Sequence, residues 1–133
     1  MRRLRLLLCD DQPEMLGLLQ RILEPHYHII GTAEDGQSLL AAAYALRPDI
    51  VLTDINLPLV NGLDAARDLR KHLPDCCIII HSSHDEPEIL AAAFTAGASG
   101  YFVKGALRAL PSSIRAVIRS VHDTAESNIP AQA

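Results

Sequence analysis

Apolar residues along this chain fall into two alternating patterns, and each switch between them marks the boundary of an element. Leu6-Leu7-Leu8-Cys9 is a short continuous apolar run, as are Ile50-Val51-Leu52-Thr53, Ile78-Ile79-Ile80-His81 and Tyr101-Phe102-Val103. Runs of this length, separated by helix-like segments, are what central parallel strands look like when both faces of a sheet are covered. Between them the period lengthens. Pro13, Met15, Leu16, Leu18, Leu19, Ile22 and Leu23 recur at helical spacing, with Pro13 suited to the first turn and Glu24-Pro25 to the end. His28-Ile29-Ile30-Gly31 predicts a second strand, and Asp35-Gly36 opens an alanine-rich helix through Leu39, Leu40, Ala43 and Leu46 that closes at Arg47-Pro48. A third strand over Asp49–Thr53 leads into the loop Asn56-Leu57-Pro58-Leu59-Val60-Asn61-Gly62 and a third helix from about Leu63 to His72. The pattern then predicts a strand over Cys76–His81, a helix over Glu88–Ala96 between Pro87 and Gly97, and a strand over Ser99–Val103. A fifth helix is expected from about Arg108 to Val121.

Strict strand–helix alternation calls for an α/β fold, a doubly wound five-stranded parallel sheet with helices on both faces. Right-handed crossovers leave few strand orders open. The flavodoxin-like (βα)5 order 2-1-3-4-5 is the expectation, because it sets strands one, three, four and five side by side. Those four strands each run into a polar residue: Asp10-Asp11, Asp54, Ser82 and Lys104. The functional crevice of an open parallel sheet lies beyond the carboxyl ends of its strands, so these residues should converge there. The second strand lacks such a residue and takes the edge.

Size and charge narrow the reading. At 133 residues the chain is expected to form one domain over residues 1–121, with 122–133 a polar tail or the start of a linker. No apolar run reaches the ~18 residues of a membrane span. The start from Met1 to Cys9 imitates a secretory signal, but Arg5 interrupts it and two aspartates end it, so a cytoplasmic protein with no membrane partner is expected. A net charge of −4 argues against direct nucleic-acid binding by this domain, and Arg2, Arg3 and Arg5 read as a solvated strand entrance. Cys9, Cys76 and Cys77 lack metal-ligand spacing and read as reduced, buried thiols.

Three carboxylates meeting at one edge repel one another, each pair at ~4 Å by about 1 kcal/mol in water and about 4 kcal/mol at an effective dielectric of 20. Such a pocket wants a cation, and an all-oxygen donor set favours Mg2+ or Mn2+. Beside a divalent ion, Asp54 can act as nucleophile toward phosphorus and form an aspartyl phosphate. The Ser82 hydroxyl and the Lys104 ammonium suit the remaining phosphoryl oxygens, and Ser83 is small enough to leave room for the incoming group. His81 and His84 flank this site, one at a strand end and one in a loop.

Four motifs, in order, resemble the receiver domains of two-component response regulators over essentially Arg5 to Val121. They are Cys9-Asp10-Asp11, Thr53-Asp54-Ile55-Asn56-Leu57-Pro58 with Asn61-Gly62, Ile80-His81-Ser82-Ser83-His84-Asp85, and Gly100-Tyr101-Phe102-Val103-Lys104. The likeness is greatest to receivers that precede a LuxR-type helix-turn-helix domain. The resemblance implies that Asp54 is the phosphoacceptor and that Asp11, Asp54 and the carbonyl of Asn56 bind Mg2+ directly, with Asp10 acting through water. It implies that Ser82 and Lys104 hold the phosphoryl group and that Tyr101 is the switch aromatic. Two residues depart from the usual pattern: Gly105 follows the lysine where many receivers have proline, and Ser82 stands where threonine is common. The expected function is a switch rather than a turnover enzyme. A histidine kinase or small phosphodonor loads Asp54, the surface of the fourth helix, fifth strand and fifth helix changes, and control of a DNA-binding output domain follows. Homodimer formation on phosphorylation belongs to the same expectation. The alternatives are a stand-alone receiver or phosphorelay shuttle, and a receiver-like interaction module that is not phosphorylated. A phosphatase is disfavoured because Asp54-Ile55-Asn56 lacks a second carboxylate as general acid, and an FMN carrier because two aspartates would repel its phosphate.

Overall fold

The computed structural model describes the backbone of residues 3–127 and the side chains of residues 3–122. Strands β1 (Arg5–Cys9), β2 (His28–Ala33), β3 (Ile50–Thr53), β4 (Cys77–Ser82) and β5 (Gly100–Val103) form one sheet in the order β2-β1-β3-β4-β5, every pair parallel. Helices α1 (Pro13–Leu23), α2 (Gly36–Leu46), α3 (Gly62–His72), α4 (Pro87–Ala96) and α5 (Leu110–Ser127) alternate with them. This is the expected flavodoxin-like architecture, with the expected strand order.

The continuous apolar runs are explained by two-sided burial. Leu7, Val51 and Ile78 face α2 and α3 and pack with Leu39, Ala43, Ala65, Ala66 and Leu69. Their neighbours Leu6, Leu8, Ile50, Leu52 and Ile79 face the other way, against Leu16, Leu19 and Leu23 of α1 and Leu110 and Ile114 of α5. A third cluster, Ile55, Ile80, Ala93 and Ala98, lies beneath α4 and takes in Tyr101. Each fully buried leucine or isoleucine contributes roughly 1.5–3 kcal/mol relative to exposure.

Polar residues close several helix ends. Asp35 caps α2 by accepting from the Ser38 N–H at 2.6 Å, and Asn61 caps α3 by accepting from the Asp64 N–H at 2.9 Å. Arg5 donates to the carbonyls of Leu46 and Arg47 at the end of α2, and Arg3 to the carbonyl of Glu24 after α1. The basic entrance therefore stabilises the negative ends of two helices; Arg2 lies outside the described residues. Arg70 ties three elements together from α3. Its guanidinium donates to the carbonyls of Pro74, Cys76 and Gly97 and to the Ser99 hydroxyl.

Three boundaries depart from the expectation by two residues or more. β2 continues two residues past Gly31, because β1 is long enough to pair Leu8 with Thr32 and Cys9 with Ala33. The fifth helix starts at Leu110, after a single 3-10 turn over Leu107–Ala109, and runs to Ser127 rather than stopping at Val121. Residues 122–127 hold no glycine or proline, so nothing in the backbone stops the helix there; the remainder of the expected tail lies outside the described residues. Cys9, Cys76 and Cys77 are free and buried as expected, and burial pushes the Cys9 and Cys76 thiols up to about 12. Among the described residues, no helix is long and apolar enough to cross a membrane.

Candidate functional site

The first two strands of the pocket end at the same level, since Cys9 pairs with Thr53 across the sheet. Beyond that level the Asp54 N–H donates to the Cys9 carbonyl at 3.1 Å and the Asp10 N–H to the Ala33 carbonyl at 3.1 Å. Both aspartates are thus held by backbone bonds just past the strand ends, and both are buried. β1 is over by Asp10 and the chain bends at Asp11, which frees the pair from strict alternation of faces. Carboxylate oxygens of Asp10, Asp11 and Asp54 consequently lie within 4.8 Å of one another.

Each oxygen of the two buried carboxylates has a partner. Asp54 Oδ1 accepts from the N–H groups of Ile55 at 2.6 Å and Asn56 at 3.3 Å. Asp10 Oδ1 accepts from the Gln12 N–H at 2.9 Å. The facing oxygens, Asp54 Oδ2 and Asp10 Oδ2, share the Lys104 ammonium at 2.8 and 2.9 Å. Burial works against the charge on Lys104, but the hydrogen bonds to Asp54 and Asp10 and the two carboxylate charges overcome it and hold its pKa above the ordinary lysine value.

A tight return loop presents Asp54. The Gly62 N–H donates to the Ile55 carbonyl at 2.7 Å, and a Cβ at residue 62 would overlap the carbonyl oxygen of Asp54. Only glycine lets the start of α3 close under the end of β3. At the other side of the pocket, Ser82 ends β4 fully buried, and its Oγ accepts from the His84 N–H at 3.2 Å. The Tyr101 hydroxyl donates to the His84 carbonyl at 2.8 Å. The Lys104 N–H donates to the Ser82 carbonyl at 2.8 Å, which couples the two loops that carry these side chains. Gly105 follows with φ +150°, a conformation that proline, fixed near −65°, cannot adopt. The departure at this position therefore belongs to a different backbone path after the lysine.

All of the residues singled out by the sequence lie in this one region. Asp10, Asp11, Asp54 and Lys104 are brought together, Asn56 lies beside them, and Ser82 and Tyr101 are joined through the backbone of His84. Two residues have a larger part here than their sequence positions suggested. His84 Nε2 lies 2.9 Å from the Asn56 side-chain nitrogen, bridging the loops after β3 and β4. The available signal was their spacing, since each stands two residues beyond a strand-end site residue. His81 is 3% exposed and its Nδ1 is buried with no hydrogen-bond partner. Burial, helped by the Lys104 charge and opposed by Asp10 and Asp54, pushes its pKa down to about 4. The oxygen-only donor set formed by the three aspartates fits Mg2+ or Mn2+ and does not suit zinc or copper.

Residues 6–119 match the family model of the response regulator receiver domain. The chain is similar to the transcriptional regulatory protein DegU of Brevibacillus brevis, 34% identical over 104 residues, covering 77% of this chain and 44% of that one. It is also similar to the response regulator UvrY of Escherichia coli O6:H1, 33% identical over 121 residues, covering 90% and 54%. Among solved structures, a LuxR-family two-component response regulator from Aurantimonas sp. superposes with a TM-score of 0.83 at 30% identity, covering 89% of this chain and 86% of the other. The chain spans about half the length of the curated relatives it matches.

Proposed function

The chain belongs to the response regulator receiver domain family, and from that premise we propose that Asp54 accepts a phosphoryl group and that its occupancy sets the state of the surface built by α4, β5 and α5. The observation that carries this reading is Lys104, whose ammonium is already shared between Asp54 and Asp10 at the open end of the sheet. Asp10, Asp11 and Asp54, with the carbonyl of Asn56, would hold Mg2+. Bound there, the ion draws negative charge off the phosphoryl oxygens during transfer.

In the transfer, a carboxylate oxygen of Asp54 attacks phosphorus, the bond to the donor nitrogen or oxygen breaks, and an acyl phosphate results. Lys104 exchanges its contact with Asp54 Oδ2 for a phosphoryl oxygen, and Ser82 supplies a hydroxyl donor to another. Attack of water on phosphorus later restores the carboxylate and releases inorganic phosphate. Turning the Ser82 O–H toward the phosphoryl group, which it can donate to while Oγ still accepts from the His84 N–H, pulls on that peptide segment, and the same segment carries the carbonyl that holds Tyr101. Movement at Ser82 is therefore transmitted to Tyr101 and to the cluster beneath α4.

A protein histidine kinase or a small phosphodonor is the proposed source of the phosphoryl group, and homodimerisation a proposed consequence. The matched segment is only 44% and 49% of the length of two relatives described as transcriptional regulatory proteins, which supports control of a DNA-binding output domain. Incubation with radiolabelled acetyl phosphate and Mg2+ tests the assignment. The parent should take up label in a chelator-sensitive manner and Asp54→Asn should not; equal labelling of the two would remove Asp54 as the acceptor.

A further inference from the structure

The loop after β3 displays one leucine at two simultaneous costs. Leu59 is 74% exposed, while Leu57 and Val60 on either side of Pro58-Leu59 pack against the core. Its φ is +70°, and the Val60 N–H donates to the Pro58 carbonyl at 2.8 Å across it. That is a three-residue turn in its rare, strained form, for which glycine or asparagine would be the inexpensive choice. The Gly36 N–H, at the start of α2, also donates to the Pro58 carbonyl at 3.1 Å, so the turn is held from a second element. Single exposed leucines are ordinary; a leucine held outward in a conformation that disfavours its own side chain is not.

The surroundings define what would cover it. Leu59 stands in one of the five loops that follow the strand ends (10–12, 34–35, 54–61, 83–86 and 104–106). Besides the three aspartates of the pocket, these loops carry Glu34, Asp35, Asp85 and Glu86, while Lys104 is their one Lys or Arg and is taken by Asp10 and Asp54. Any protein delivering a phosphoryl group to Asp54 must approach over this acidic rim, whereas a small donor need not touch it. We propose that Leu59 is a specificity-determining anchor for the phosphohistidine-bearing protein, received by an apolar socket within a basic surface of that partner. This rests on Asp54 being the acceptor.

The test compares the parent with Leu59→Gly, Leu59→Asn and Leu59→Met in two kinds of assay. One uses acetyl phosphate as donor, the other a panel of autophosphorylated histidine-kinase cores. Glycine and asparagine should leave uptake from acetyl phosphate within about twofold while slowing transfer at least about tenfold from every core that phosphorylates the parent, the scale of one lost leucine contact. Methionine should retain most of the transfer, and added salt should slow the protein donor more than acetyl phosphate. The thermal midpoint of the glycine variant should rise, which separates loss of an anchor from loss of fold. Undiminished transfer to Leu59→Gly, or a panel in which no core outpaces acetyl phosphate on the parent, would overturn the proposal. Failure of the parent to label with acetyl phosphate would instead overturn the acceptor assignment.

Discussion

Acidification should destabilise this protein through His81. The imidazole is buried, its Nδ1 has no partner, and its pKa is pushed down to about 4 from 6.5. The folded state therefore refuses a proton that the unfolded chain accepts below about pH 6.5. A depressed histidine pKa means that the unfolded state binds more protons throughout the window from 6.5 down to about 4. The His81 contribution accordingly falls as pH falls through that window and levels off below it. The full loss is about 3 kcal/mol, and about 2 kcal/mol is already lost at pH 5 relative to pH 8. Against a typical total of roughly 5–15 kcal/mol, that is a large share. Urea unfolding of the parent and of His81→Leu at pH 8 and pH 5, in chelator, measures it. With a urea slope of about 1–3 kcal/mol per molar, the parent's midpoint should drop by roughly 1 M more than the variant's between the two pH values. The other five histidines are present in both proteins and cancel in the difference. Leucine also removes the unpartnered nitrogen, so the variant should be no less stable than the parent at pH 8. Parallel pH dependence in the two proteins would refute the reasoning.

Lys104→Met should lower the melting temperature without divalent ions and enlarge the rise that Mg2+ produces, because Asp10 and Asp54 lose the cation they now share; a thermal melt with and without 10-fold excesses of Mg2+ over its dissociation constant reads both. The raised Lys104 pKa adds a sign: its contribution is complete below about pH 10.5 and is lost as pH climbs through the higher folded value. Arg70→Met should cost about 2–4 kcal/mol in urea unfolding, since it strips donors from the Pro74, Cys76 and Gly97 carbonyls at once. Gly62→Ala should cost roughly 1–3 kcal/mol and slow uptake from acetyl phosphate, because the added methyl displaces the Asp54 backbone.

A state in which two carboxylates share the one Lys104 ammonium and Tyr101 is already bonded to the His84 carbonyl frames how the switch would work. The phosphoryl group would not create the link from pocket to surface. It would give the Ser82 hydroxyl a phosphoryl oxygen to donate to at one end of an existing chain of hydrogen bonds, shifting the balance between two arrangements.

The alternation of apolar runs with helical periods was enough to read this fold, because burial on both faces of a parallel sheet leaves that signature in the residues themselves. Strand order followed from the polar residues at four strand ends, a condition that only adjacent strands satisfy. Local chemistry likewise marked the start of the second helix at Asp35-Gly36 and the end of the loop before the third at Asn61-Gly62. What the sequence could not determine depends on distances between segments far apart in the chain. That Lys104 reaches both Asp54 and Asp10, that Asn56 meets His84, and that Arg70 closes over Gly97 are outcomes of how loops from different strands settle against one another. His81 reads as an ordinary strand-end histidine until packing removes its water. Leu59 reads as one more apolar loop residue until the hydrogen bond across it fixes its backbone and turns it outward. Periodicity records which side of an element is buried; only the assembled structure decides which buried polar atoms find partners and which exposed apolar ones are left to find them.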